Sequence, residues 1–243
     1  MNIDNYTGNT FILNPYYVLR NDKDRSLIAT ADSTSFLTKE ADLDVDDIIS
    51  LIHPAYAMLL SFFNGKDNLR DTMGNICRFF NLTLRKTVGI VSKFINNTEN
   101  MGVEFDNCFF YLPKHLIVEK REWMKPREYY PEQFEINGPV NLYEKRLNAP
   151  IYLHLLVNNR CMTDCIYCYA DKRQIMDCII PFKRIRELIS EAKNIGISSF
   201  DIQGGELFLY PEWDKLLDSL YNAGYSVYIS TKCPLNRGQI AKL

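Results

Sequence analysis

The sequence has no long apolar run and no targeting segment. None of its uninterrupted apolar runs approaches the ~18 residues that a membrane-spanning helix needs. The first ten residues, MNIDNYTGNT, lack the basic start and the apolar centre of a secretory signal. We therefore expect a cytoplasmic protein that has no membrane partner.

The sequence also lacks a marked excess of one charge. It has 28 basic and 30 acidic residues, so its formal net charge is only −2. This balance argues against binding of nucleic acid or acidic membranes through a strongly basic surface. A composition of 47% hydrophobic and 24% charged residues is ordinary for a globular protein. The 243 residues are enough for one or two domains with their own cores.

Three of the seven cysteines fall in one short stretch, CMTDCIYC, as Cys161, Cys165 and Cys168. An odd number of cysteines, three of them in one loop, suits a reducing compartment and metal ligation better than disulfides. Three thiolates are one fewer than the ligands that a closed zinc or iron–sulfur site usually takes. Either a fourth ligand comes from elsewhere, or one metal coordination position is open.

The last part of the chain, 149–243, alternates between strand and helix patterns. The predicted elements are strands over 151–157, 198–203 and 225–231 and amphipathic helices over 181–195 and 211–223. This alternation predicts right-handed crossovers and a parallel sheet. Ligand sites in such sheets lie at the carboxyl ends of the strands, where the cysteine stretch and Gly204-Gly205-Glu206 both fall.

The first part, 1–113, has the pattern of a small α+β domain. Two short strands flank a polar turn at 21–25, three helical patterns follow, and a second hairpin turns at Asp106-Asn107. The strands are predicted over 16–20 and 26–30, and the helices over about 54–63, 69–80 and 84–95. These elements predict a winged-helix-like domain.

The stretch 114–148 is predicted to bridge the two domains. Pro126, Pro131 and Pro139 interrupt any steady periodicity in it. Its aromatic residues distinguish it from a flexible linker, and we expect them to pack against the second domain. These residues are Trp123, Tyr129, Tyr130, Phe134 and Tyr143.

The cysteine stretch, followed one strand–helix–strand unit later by Gly-Gly-Glu, resembles the radical S-adenosylmethionine (SAM) enzymes over roughly 147–243. The resemblance implies an α/β fold of the (β/α)6 type, a partial TIM barrel, of which 149–243 would be the first part. It implies a [4Fe–4S] cluster held by Cys161, Cys165 and Cys168, with SAM on the open iron. Reductive cleavage of SAM would then give methionine and a 5′-deoxyadenosyl radical that abstracts hydrogen from the substrate.

The resemblance also implies roles for residues that match the family's motifs. Tyr167, directly before the last cysteine, would lie near the adenine of SAM. The turn Gly204-Gly205-Glu206 would meet the methionyl ammonium, with Leu207 where the family often has proline. Ser230-Thr231-Lys232 ends the third strand, where the family also places ligand-facing residues.

The first domain resembles, more loosely, the winged-helix domain in front of many radical SAM maturases of ribosomally made peptides (RiPPs). The early hairpin, the His53-Pro54 helix entry and the exit at 62–65 carry this resemblance. In those maturases a leader peptide adds as an extra strand to the sheet edge. The implied partners are the leader region of a precursor peptide and an electron donor such as ferredoxin or flavodoxin. Because the family's barrel has more strands than 149–243 provides, we expect this chain to be the N-terminal portion of a longer enzyme.

Other interpretations stay open from the residues. The substrate could be a folded protein such as a sulfatase, or the cysteines could hold a structural zinc or act as a redox pair. The first domain could be a DNA-binding winged helix joined to an iron–sulfur redox sensor. Against DNA binding, the third predicted helix offers only Arg85, Lys86 and Lys93 as basic groups.

The remaining cysteines and histidines are interpreted as structural. They are Cys77, Cys108, Cys178, Cys233, His53, His115 and His154. The interpretation is weakest for His154, because alternate residues of a barrel strand face the interior.

Overall fold

The chain forms two compact units, Met1–Asn148 (unit 1) and Ala149–Leu243 (unit 2), each with its own hydrophobic core. The computed structural model describes residues 7–31, 48–168, 178–225 and 227–243. Within these ranges, no helix combines the length and the apolar character that membrane crossing requires.

Unit 1 contains seven described strands in three small antiparallel sheets. They are β1 (Phe11–Leu13), β2 (Tyr17–Asn21), β3 (Ser26–Thr30), β4 (Ile49–Ile52), β5 (Met101–Phe105), β6 (Cys108–Leu112) and β7 (Ile117–Glu119). The sheets have the orders β2-β3-β4, β5-β6 and β1-β7. Both predicted hairpins, β2-β3 and β5-β6, are confirmed. The sequence analysis did not predict β1, β4 or β7.

Three helices lie between β4 and β5. They are α1 (Pro54–Ser61), α2 (Leu69–Phe80) and α3 (Leu84–Val91). His53 has a structural role, because its Nδ1 accepts a hydrogen bond from the backbone N–H of Ala55 and caps α1. Helix α3 ends four residues before its predicted end at 95. The chain leaves the helix there and brings Ile95 into a bridge with Ile117 of β7.

The stretch 114–148 packs with unit 1. Strand β7 pairs with β1, and Phe134 is buried in the unit 1 core with Tyr129 against it. The expectation that these aromatic residues pack against the second domain was therefore wrong for Tyr129 and Phe134. The sequence pattern missed this arrangement because a three-residue strand at each end of unit 1 has too few residues to show a period.

The polar turn between β2 and β3 is partly buried and forms hydrogen bonds with a later segment of unit 1. Arg25 is 1% exposed and donates hydrogen bonds to three carbonyl groups within 141–146. Its Nε lies 3.3 Å from Oδ2 of Asp22. Asp22 also accepts a hydrogen bond from the backbone N–H of Asn148, 3.1 Å away. Arg20 contacts the same carboxylate at 3.2 Å, so Asp22 is the shared partner of two buried guanidinium groups.

Unit 2 is a three-stranded parallel sheet of order β10-β9-β8 with helices in the connections. Its elements are β8 (Tyr152–Leu156), α4 (Phe182–Asn194), β9 (Ser199–Gln203), α5 (Trp213–Asn222), β10 (Val227–Ile229) and α6 (Arg237–Ile240). The predicted strand–helix alternation and parallel pairing are confirmed. Ser226, within the third predicted strand, lies outside the described residues.

The two faces of this sheet differ in polarity. Leu155, Phe200 and Ile202 face the core, which includes Ile185 of α4 and Leu216 of α5. The alternate residues point to the opposite face, which α4 and α5 leave open. They include Tyr152, His154, Leu156, Asp201, Gln203 and Tyr228, all exposed or half-buried.

Substituting Asp22→Ala should destabilise unit 1, because it leaves the buried guanidinium of Arg25 without its counter-charge. Breaking a buried ion pair from one side typically costs about 3–5 kcal/mol in the free energy of unfolding. Urea denaturation followed by circular dichroism measures this loss. Asp24→Ala, in the same turn, is the matched control and should change stability by less than about 0.5 kcal/mol. Equal effects of the two substitutions would contradict the assignment.

Candidate cofactor site

A cavity of about 350 Å³ opens at the carboxyl ends of the three parallel strands of unit 2. The residues that follow β8, β9 and β10 all contribute to its wall. Every site residue predicted from the sequence lines it except Thr231: Cys161, Cys165, Tyr167, Cys168, Gly204, Gly205, Glu206 and Ser230. Thr231 lies beside the cavity and donates a hydrogen bond to Glu206.

The cysteine loop places its three thiols around this cavity. Thr163 lies between two of them, with its Oγ1 3.5 Å from Sγ of Cys161 and 3.3 Å from Sγ of Cys165. Cys165 is half-buried, and Cys161 and Cys168 are exposed. Within the described ranges, no three His, Cys, Asp or Glu side chains are grouped closely enough to hold a metal as they stand. In donor type, three thiolates are the ligands that an iron–sulfur cluster takes.

The glycine turn after β9 packs directly on the start of the cysteine loop. A Cβ at Gly205 would lie only 1.9 Å from the carbonyl oxygen of Arg160. Gly204 has φ +91°, a conformation that glycine adopts without strain. Gly205 is thus required by close approach of the chain's own backbone, and Gly204 by its positive φ and by its packing against Leu156.

Asn158 and Arg160, directly after β8, join the cysteine loop to the glycine turn through hydrogen bonds. The side chain of Asn158, which is 4% exposed, donates to the carbonyl of Glu206 at 3.0 Å. Its own carbonyl accepts from the N–H of Gly205 at 3.0 Å, and the Arg160 carbonyl accepts from the N–H of Glu206 at 2.6 Å. These bonds fix the ends of β8 and β9 relative to each other.

Glu206 is 4% exposed, and its carboxylate connects two strand ends. Oε1 accepts hydrogen bonds from the hydroxyl of Thr231 at 2.8 Å and from the N–H of Phe208 at 3.3 Å. Oε2 accepts from the backbone N–H of Lys232 at 3.2 Å. A carboxylate has about four acceptor positions, so one position on Oε2 stays available for a further donor.

Lys232 reaches from the end of the third strand to the cysteine loop. Its Nζ lies 2.7 Å from the hydroxyl of Tyr167 and 3.3 Å from Sγ of Cys165. The same ammonium lies 4.6 Å from the centroid of the Tyr167 ring, a cation–π distance. Among the described residues that line the cavity, Lys232 alone is basic.

These contacts change two ionisation equilibria. The hydrogen bond from Thr163, and after it the contact with Lys232, lowers the pKa of the Cys165 thiol. The hydrogen bond with Tyr167, and after it the contact with Cys165, raises the pKa of the Lys232 ammonium. Both shifts favour the charged forms, a thiolate beside an ammonium, and thiolate is the form that ligates metals.

A second polar group lies on the open face of the sheet, below the cavity. His154 Nδ1 is 2.9 Å from Oδ2 of Asp201 and 3.0 Å from Nε2 of Gln203. Asp201 and Gln203 both line the cavity, and Tyr228 stands opposite Asp201 on β10. His154, interpreted from the sequence as a lone histidine, thus belongs to a hydrogen-bonded group.

The sequence analysis missed five residues that build this site: Asn158, Arg160, Thr163, Asp201 and Gln203. Asp201 and Gln203 left a usable signal, because they alternate with the apolar Phe200 and Ile202 in a strand that the surrounding pattern makes buried. Asn158 and Arg160 act through contacts with residues about 46 to 48 positions later, and Thr163 acts through the conformation of its loop, neither of which a local pattern shows.

Gly205→Ala should destabilise unit 2, because the added Cβ would overlap the carbonyl of Arg160. Such overpacking against backbone typically costs about 1–3 kcal/mol, which tryptophan fluorescence during urea denaturation measures. Gly74→Ala, in α2 with nothing within 4 Å of the added Cβ, is the control. It should stabilise the chain by about 0.5–1 kcal/mol. A Gly205→Ala variant as stable as the wild type would contradict the close approach.

The sequence matches no protein-family model and no curated protein. The structure is similar to Streptococcus suis SuiB bound to the precursor peptide SuiA, at 13% identity and a TM-score of 0.52. That match covers 96% of this chain and 45% of SuiB. It is also similar to SuiB bound to S-adenosylmethionine, at 14% identity and a TM-score of 0.52, covering 96% of this chain and 44% of SuiB.

The chain thus spans less than half the length of SuiB. At these identities the similarity establishes a shared mixed α/β fold.

Proposed function

We propose that this protein acts as a radical SAM enzyme that modifies a ribosomally made peptide. The observation that carries the proposal is one cavity at three parallel strand ends, lined by three thiols, a Gly-Gly-Glu turn and, among the described lining residues, a single basic side chain. SuiB, which shares the fold, is bound in solved structures to S-adenosylmethionine and to a precursor peptide. S-adenosylmethionine suits the proposed radical chemistry, and a precursor peptide suits the proposed class of substrate.

In this proposal Cys161, Cys165 and Cys168 hold a [4Fe–4S] cluster through their thiolates. A cluster with one open iron, when bound with SAM, supplies reductive cleavage of the sulfonium to a hydrogen-abstracting 5′-deoxyadenosyl radical. Thr163 and Lys232 both contact the sulfur of Cys165 and lower the pKa of its thiol, which favours the thiolate form that ligates iron. An external electron donor, a ferredoxin or flavodoxin, belongs to the proposal as a partner.

The remaining cavity residues position the cofactor. Tyr167 presents an aromatic face that is 75% exposed, which suits stacking on the adenine. Glu206 offers its free acceptor position and its negative charge to the methionyl ammonium. Ser230 lines the cavity, and Thr231 fixes the carboxylate of Glu206 from the third strand.

Each unit has a part in the proposed enzyme. Residues 149–243 form the first part of a (β/α)6-type barrel, whose sheet places ligand-binding residues at its carboxyl edge. Residues 1–113 form a winged-helix-like domain for recognition of the peptide leader, and 114–148, predicted as a bridge, complete its core. We propose that the enzyme is cytoplasmic, because seven cysteines with three in one loop suit a reducing compartment.

The peptide would bind in a groove of unit 1 beside β5. A cavity of about 760 Å³ lies there, lined mostly by apolar side chains of α1, α3 and β5. Those that reach into it include Tyr56, Ile90, Phe94 and Val103. Lys93 alone of the described lining residues carries a full charge, which favours a peptide with apolar anchors and an acidic residue.

The outer edge of β5 can receive a peptide strand. In the described part of the chain β5 pairs with β6 alone. The hairpin turns at Asp106-Asn107, both with positive φ, so the pair that flanks this two-residue turn is hydrogen-bonded. The backbone groups of Gly102 and Glu104 therefore point to the open edge, and strand addition would satisfy them.

The alternatives from the sequence have less support. A folded substrate such as a sulfatase would not need an unpaired strand edge beside an apolar groove. For the DNA-binding redox sensor, α3 exposes Arg85 and Lys86, a small basic surface for contacts with phosphates.

The proposed chemistry predicts 5′-deoxyadenosine as a product. After anaerobic reconstitution with iron and sulfide, the protein should form it from SAM in the presence of dithionite, as measured by liquid chromatography and mass spectrometry. Cys165→Ala should reduce the yield to that of a protein-free blank, because a cluster ligand is lost.

Cys178→Ala is the matched control for this loss. Cys178 is exposed in the same unit and does not line the cavity, so its variant should keep the wild-type yield. A wild-type protein that binds the cluster but makes no 5′-deoxyadenosine, or a Cys165→Ala variant with unchanged yield, would refute the proposal.

Strand addition to β5 predicts that Glu104→Pro weakens peptide binding. Proline removes the outward N–H but breaks no bond to β6, so the hairpin should persist. We expect about a tenfold loss of affinity, the effect of roughly 1.4 kcal/mol. Fluorescence anisotropy with a labelled precursor peptide encoded beside the gene measures it.

Glu104→Ala is the control, because it removes the carboxylate and keeps the N–H. Its affinity should stay close to that of the wild type. If Glu104→Pro binds the peptide as tightly as Glu104→Ala, the peptide does not pair with this edge.

A further inference from the structure

Contacts at both its backbone and its side-chain ammonium hold Lys232 in place. Its backbone N–H donates to Oε2 of the buried Glu206 at 3.2 Å, which anchors the end of the third strand. Its side chain lines the cavity, and Nζ contacts the hydroxyl of Tyr167 at 2.7 Å. The contact with Tyr167 restricts the position of a long side chain that is otherwise exposed.

The third contact of this ammonium is to sulfur. Nζ lies 3.3 Å from Sγ of Cys165, within range of an N–H···S hydrogen bond. Cys165 is half-buried, whereas Cys161 and Cys168 are exposed. Thr163 Oγ1 contacts the same sulfur and that of Cys161, but a hydroxyl is neutral and a lysine donor is charged.

A donor in this position affects an iron–sulfur cluster in a defined direction. Reduction adds one electron, and part of the added negative charge lies on the ligating sulfurs. A hydrogen bond or a positive charge at such a sulfur stabilises the reduced form more than the oxidised form. The reduction potential is then more positive than it would be without the donor.

We propose that Lys232 is a positioning residue that donates a hydrogen bond to the Cys165 sulfur and so raises the reduction potential of a cluster on the three cysteines. This inference rests on the proposed function, because it requires the cluster. The role is distinct from ligation, since Lys232 acts through Cys165. Lys232 would thereby favour reduction of the cluster, the step in which one electron passes from the external donor to the cluster.

The test is the midpoint potential of the reconstituted protein, measured by electron paramagnetic resonance during a redox titration without SAM. Lys232→Met keeps a side chain of similar length but removes the donor and the charge. Its potential should shift to more negative values than that of the wild type. Lys232→Arg keeps both properties and should restore a potential close to that of the wild type.

Lys183→Met is the charge-matched control. Lys183 lies exposed on α4 and does not line the cavity, so its loss should leave the potential unchanged. Equal potentials for Lys232→Met and the wild type would overturn the inference. So would a shift of the same size in Lys183→Met, which would mean that only net charge matters.

Loss of the cluster from Lys232→Met would be followed by the same titration of Lys232→Gln, which keeps a neutral donor. A more negative potential in that variant supports the inference, and loss of the cluster there too overturns a tuning role. The outcome is separable from the proposed function. A wild-type protein that makes 5′-deoxyadenosine while Lys232→Met has the same potential would leave the enzyme proposal intact and remove this one.

Discussion

The buried carboxylate of Glu206 is the interaction on which the geometry of the candidate site depends. It holds the end of β10 through Thr231 and Lys232, and the backbone of its own turn holds the cysteine loop through Asn158. Three loops that follow three different strands are thereby tied to one residue that is 4% exposed. Without this connection, no single residue would fix the position of the thiols relative to the side chain of Lys232.

The residues that hold the site together are different from the residues that would contact a cofactor. Glu206 and Asn158 are buried and largely satisfied by the chain itself, whereas Tyr167, Cys161 and Cys168 are exposed at the cavity. A rigid support beneath exposed ligands is what a cofactor site requires, because the support fixes the ligands without competing for the cofactor.

Structural elements that depend on local periodicity and on residue spacing could be predicted from the sequence. The parallel strand–helix alternation, the two hairpins and the extent of α2 followed from such patterns. Contacts between distant residues could not be predicted. The pairing of β1 with β7 and the insertion of Arg25 against 141–146 each join residues more than 100 positions apart. Likewise, the glycines were identified, but only the structure shows that the carbonyl of Arg160 requires Gly205.

The proposed radical SAM chemistry requires that the three thiols of unit 2 bind a cluster that in turn binds SAM. The most direct measurement is the iron and sulfide content of the anaerobically reconstituted protein, with its electron paramagnetic resonance spectrum recorded before and after addition of SAM. We expect about four iron and four sulfide ions per chain and a reduced-cluster spectrum that changes when SAM is added. Binding of zinc in place of the cluster, or a spectrum indifferent to SAM, would contradict it.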